Sequence, residues 1–108
     1  MSVLIHASHS QEDILKCVDE GLDVFGPSVK TVIYFRFQTV FNLKREDIVR
    51  KPELFVECLR GFFGERGFHV ESAIVAAILG KFHLAEVNLS DSAIRAIVEA
   101  RRQVQAEN

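Results

Sequence analysis

Apolar residues along the chain recur mostly three and four positions apart, the spacing that lines one side of a helix. Ile14, Leu15, Val18 and Leu22 share such a face, with Cys17 beside them. Ser10 precedes this stretch and Asp13 follows three residues on, a relative of the capping box. Glu12 and Asp13 sit where the helix dipole favours acid. Phe25 and Gly26 close the helix, and Pro27 suits the first position of the next. Gly21 is an interior glycine, costing ~1 kcal/mol against alanine.

Lys30 to Phe41 reads two ways. Its Val, Ile, Tyr, Phe and Thr content favours a strand. Val29, Val32, Ile33, Phe37, Val40 and Phe41 also fit a helical face. An internal repeat decides between them. Shifted by 41 positions, Cys17 falls on Cys58, Leu22 on Phe63, Gly26 on Gly67, Ile33 on Ile74, Phe41 on Phe82 and Leu43 on Leu84. Apolar positions coincide while polar ones drift, as in two copies of one supersecondary unit. The counterpart of Lys30 to Phe41 is Glu71 to Phe82, whose alanines favour helix. Both stretches are expected to be helices, each central and widely buried.

The second unit opens at Pro52, with Phe55, Cys58, Leu59 and Phe62 as its stripe. Lys44 to Lys51 forms a polar connection with one short turn near Ile48. A last helix follows Asn88 or Ser90, with Asp91 in its first turn and Arg101 and Arg102 near its end. Its final residues, from Gln105, are expected to fray. The expected fold is all-α, one domain over 1–108 with five helices. It divides into an N-terminal arm (1–9), a first helical hairpin (10–43), a pseudo-symmetric second hairpin (51–84) and a C-terminal helix (89–105).

Composition narrows the function. A chain of 108 residues with 48% hydrophobic and 26% charged residues can bury a core without metal or disulfide staples. The net charge of −2 and pI near 6.1 lack the basic footprint usual for nucleic-acid binding. The longest apolar run is about eight residues, against the roughly 20 of a membrane helix. The N-terminal residues lack the basic region of a signal peptide, so a cytoplasmic protein without a membrane role is expected.

Candidate chemistry is sparse, and no catalytic residue, cofactor or metal is expected. Cys17 and Cys58 read as small buried hydrophobes rather than a redox pair, because no Cys-x-x-Cys spacing or adjacent base activates them. The unit equivalence would let them face each other between helices one and three. His6, His9, His69 and His83 lack zinc-ligand spacing. Gly64-Glu65-Arg66-Gly67 reads as an interhelical turn rather than a phosphate loop. Glu71, on an apolar helix, is expected to pair with a base of the first unit, such as Lys30 or Arg36.

Three segments, Gly21 to Leu43, Lys51 to Leu59 and Phe62 to Val75, together resemble the small helical output domains of archaea named after Nitrosopumilus. The shared features are the Phe-Gly-x-Ser-Val-Lys stretch, the Pro-Glu-x-Phe start and the later Phe-Gly-x-x-Gly turn. The resemblance spans about residues 11–84 and implies a regulatory or protein-interaction role without an assigned reaction. Gly67-Phe68 departs from the family's Ala-Lys, and the C-terminal helix is an addition.

The expected function is therefore a non-enzymatic regulatory or adaptor domain that binds protein and forms a homodimer. The N-terminal arm (Val3, Leu4, Ile5) or the last helix (Ile94, Ile97, Val98) is expected at that interface. A second reading is a DNA-associated regulator using Arg95, Arg101 and Arg102, with Lys44 and Arg45 of the connector. A third is a small-ligand site or enzyme, with Glu71, His69 and Tyr34 lining a cavity between the units.

Overall fold

A computed structural model describes residues 8–107, all-helical and without a strand among them. Its elements are α1 (Gln11–Leu22), α2 (Pro27–Phe41), α3 (Pro52–Phe63), α4 (Gly67–Lys81) and α5 (Ala93–Glu107). Three short 3-10 turns intervene, at Asp23–Phe25, Arg45–Asp47 and Gly64–Arg66. The arm residues Val3, Leu4 and Ile5 lie outside the described residues.

Local chemistry explains most boundaries. The Ser10 hydroxyl accepts from the Asp13 N–H at 3.3 Å, and the Asp13 carboxylate accepts from the Ser10 N–H at 2.8 Å. That reciprocal cap satisfies two amides the helix itself leaves unpaired. Pro27 and Pro52 occupy first-turn positions. α2 ends at Asn42, which adopts the left-handed conformation (φ 53°) that asparagine tolerates better than most residues. The Leu43 N–H then returns to the Phe37 carbonyl at 3.1 Å.

α5 begins later than its sequence suggests. Asn88, Ser90 and Asp91 form a turn instead, in which the Asp91 carboxylate accepts from the Asn88 N–H at 3.0 Å. The Asn88 side chain accepts from the Ser90 N–H at 3.1 Å. The other end stays helical to Glu107 rather than fraying at Gln105. The Glu107 carboxylate accepts from the His9 N–H at 2.6 Å and from the Gln103 amide at 3.0 Å.

α4 is the central helix, as its apolar surround implies. It packs most extensively on α1, then on α5 and α3. Val70, Ile74, Val75 and Ile78 are buried against them. α1 reaches α4 closely at Gly21, where a β-carbon would lie 2.2 Å from the Ile74 Cγ1. Gly21 is thus a packing requirement, not merely a tolerated interior glycine. Ile48 and Val49 of the connector and Ala93, Ala96, Ile97 and Ala100 of α5 complete the core. The alanines let α5 sit close to its neighbours.

α2 does not fit the expectation of a central helix. Only Ile33 and Phe37 of its residues are buried. It packs on α1 and the Asp23–Phe25 turn and lies at the edge of the bundle. Apolar content makes a helix need cover; it does not say that its own chain supplies the cover.

Candidate functional site

The edge position of α2 leaves apolar surface open. Val32, Phe35, Val40 and Phe41 are all about half exposed or more, Phe35 at 69%. Isolated exposed apolar side chains are ordinary, and by helical spacing Phe35 points away from the others, but Val40 and Phe41 lie together on one side of the helix. Beside them, between α2 and α3, runs a groove of about 370 Å³.

The groove is built on Phe37. This ring is buried and meets Phe55, Phe41 and Phe62 edge to face, at centroid separations of 6.1, 6.3 and 6.3 Å. Such T-shaped contacts are favourable beyond their buried area, so they hold the floor and the flanking rings in place. Cys58 also lies along the floor, and Val40, Phe41 and Phe62 form apolar walls. Gly61 leaves the α3 wall low, since a β-carbon there would meet nothing within 4 Å.

Charge at the groove is balanced and unspent. Arg36 stands on the α2 wall and Glu57 on the α3 wall. Both are exposed, and neither side chain has a hydrogen bond or ion pair with the described residues. Six other arginines are engaged. Arg45 clamps Glu12 and Asp19 at 2.9 and 2.7 Å, Arg50 holds Asp47, and Arg60 holds Glu71. Arg95 holds Asp91, Arg102 approaches Glu99, and Arg101 donates to the Val49 carbonyl at 2.7 Å.

These engagements place the residues of the nucleic-acid reading. Arg45, Arg95, Arg101 and Arg102 each have an acidic or carbonyl partner, and of that set only the Lys44 ammonium has none among the described residues. They do not form a common unneutralised patch. The interface residues of α5 divide: Ile97 is fully buried in the chain's own core, whereas Ile94 and Val98 are partly exposed.

Glu71 is buried, but its partner is Arg60 of α3, not Lys30 or Arg36. The Arg60 Nε donates to it at 2.9 Å, and the Ala93 N–H at the start of α5 approaches its other oxygen at 3.5 Å. The carboxylate thus joins three helices. Lys30 pairs with Asp23 at 3.1 Å instead. Tyr34 donates to Asp19, and His69 is exposed beside Phe68. Glu71, His69 and Tyr34 therefore do not share a cavity. Burial would raise Asp19, but hydrogen bonds from Arg45 and Tyr34 outweigh it and hold the carboxyl below its usual range.

The thiols are not activated. Cys17 donates weakly to the Ala77 carbonyl of α4 at 3.5 Å, and burial pushes it up to about 11. Burial also raises Cys58. Cys17 faces α4 and Cys58 the groove, so the two do not meet as the expected equivalence of α1 and α3 would have it. Among the described residues no cluster of three or more His, Cys, Asp or Glu could hold a metal, and no helix is long and apolar enough to cross a membrane.

Comparison with protein-family models, with curated proteins and with solved structures finds no match. The groove is barely marked in the sequence. Its one signal there is that α2 is apolar on nearly every side yet carries Arg36 unaccompanied by an acid at helical spacing.

Proposed function

We propose that the chain is a non-enzymatic regulatory or adaptor domain that binds protein through the α2–α3 groove and the open side of α2. The observation that carries this reading is α2 itself: a helix apolar on nearly all sides, with only two residues buried at home. An unpartnered helix of this kind is more costly to expose than scattered apolar residues are. The resemblance to small archaeal output domains points the same way.

We further propose that two copies of one helical unit make up 10–84. In support, α1 and the Asp23–Phe25 turn, shifted by 41 positions, coincide in residue range with α3 and the Gly64–Arg66 turn. The same shift accounts for the groove. It places Phe62 where the first unit has Gly21, and Ile33 where the second has Ile74. Glycine lets α1 close on α4; the phenylalanine ring keeps α3 away from α2.

The test is capture from native lysate after nuclease treatment, with the wild type and Val40→Glu. Val40 is 59% exposed, so the variant folds but puts a charge on the groove wall. A bound protein that survives nuclease and is lost with Val40→Glu supports the reading. Partners that disappear with nuclease alone would move the function to nucleic acid.

A further inference from the structure

We infer that the occupant of the α2–α3 groove is a second copy of the same chain, docked about a twofold axis along the groove so that Arg36 of each protomer pairs with the other's Glu57. This rests on the protein-binding reading above and specifies its partner.

Charge carries the inference. The groove has one unpaired cation on the α2 wall and one unpaired anion on the α3 wall. A twofold axis running along the groove, in the plane of contact, exchanges the two walls. Each wall of one copy then lies over the opposite wall of the other, and Arg36 comes over Glu57 twice. A twofold interface requires this reciprocity, residue i meeting j and j meeting i. A partner of one dominant charge would satisfy one wall and repel the other. A second copy satisfies both and leaves the seam neutral.

Apolar surface lies at the groove itself. Val40, Phe41 and Phe62 leave on the order of 250 Å² open there, from their fractional exposures and the usual areas of such side chains. Each partner in a standard interface contributes about 800 Å², so these residues supply an apolar centre and the Arg36 and Glu57 walls begin its polar rim. The aromatic rings are held by Phe37 before any partner arrives, which lowers the entropic cost of docking.

Charge reversal gives a test with a distinctive signature. Sedimentation velocity or light scattering would compare the wild type, Arg36→Glu, Glu57→Arg, their equimolar mixture and the double variant. The wild type is expected to dimerise with a dissociation constant of about 10 µM or tighter. Each single reversal places like charges opposite each other twice and weakens its own dimer by about tenfold or more. In the mixture, an Arg36→Glu protomer docked on a Glu57→Arg protomer has opposite charges at both contacts, so heterodimer forms where neither variant self-associates. The double variant dimerises again. Both substituted side chains are exposed, and circular dichroism confirms that each variant is folded.

A monomeric wild type overturns the inference, as does a mixture that stays monomeric. A photo-crosslinking benzoylphenylalanine in place of Val40 separates this failure from that of the underlying reading. An adduct of twice the chain's mass supports the second copy. An adduct to a different protein overturns self-docking and retains the groove as a protein site, while no adduct beyond that from a control at Gln105 overturns both.

Discussion

Gly21 and Ile74 meet at the crossing of α1 and α4 with no room for a side chain between them. A β-carbon at Gly21 would lie 2.2 Å from the Ile74 Cγ1 and 2.9 Å from the Ile74 backbone nitrogen. The second distance matters more, because a side chain can rotate and a central helix's backbone cannot move cheaply.

Gly21→Ala is therefore expected to destabilise the fold. Alanine improves helix propensity by ~1 kcal/mol, but overpacking a core typically costs ~1–3 kcal/mol. The net loss should appear as a lower urea midpoint with an unchanged slope. Ile74→Val in the same chain deletes only Cδ1 and keeps both the carbon at the Cγ1 position and the backbone that the new β-carbon meets, so it should not rescue the variant.

Arg60 and Glu71 give an asymmetric pair of outcomes. Glu71 is 7% exposed, whereas Arg60 lies largely in water. Arg60→Ala strips a buried carboxylate of its cation, at an expected ~1–3 kcal/mol. Glu71→Gln keeps the shape and an oxygen toward the Ala93 N–H, releases a charge that water can hold, and should cost less. Urea denaturation of the two variants checks the order.

Acid should release the N-terminal tie before it unfolds the core. Hydrogen bonds from Gln103 and then from His9 hold Glu107 down to about 2. A carboxylate depressed in the folded state contributes fully above its unfolded value, near 4.3, and loses that contribution as pH falls toward about 2. The His9 amide resonance should move over that window, and Glu107→Gln should abolish the movement.

Cys17 should resist modification. Burial raises it to about 11, which leaves little thiolate near neutral pH. Ellman's reagent is expected to react slowly with it in the native protein and rapidly in denaturant.

Much of the local structure was legible in the sequence, and the tertiary relations less so. Ser10 with Asp13, and the two prolines at helix starts, act within a few residues and could be read directly. The helical character of Lys30 to Phe41 needed the comparison with Glu71 to Phe82, because β-branched and aromatic residues obscured it. Periodicity could not say that α2 lies at the edge, since an apolar helix looks the same whether its cover is internal or another molecule. Nor could it choose Arg60 over Lys30 or Arg36 for Glu71. All three are basic, and only the approach of α3 to α4 distinguishes them. The groove brings residues of α2 together with Cys58, Gly61 and Phe62 of α3, a relation between residues that share no local pattern.

His9 and Glu107, separated by 98 positions in sequence, are hydrogen-bonded to each other. The path from one to the other is thus nearly a closed ring. A short bridge from Glu107 to His9 should permit a circular permutant of this segment opened in the exposed Lys44 stretch, with the α1–α4 crossing intact. The same closeness suits the domain to insertion within a loop of a host protein, entering and leaving at one point while the α2 face stays presented.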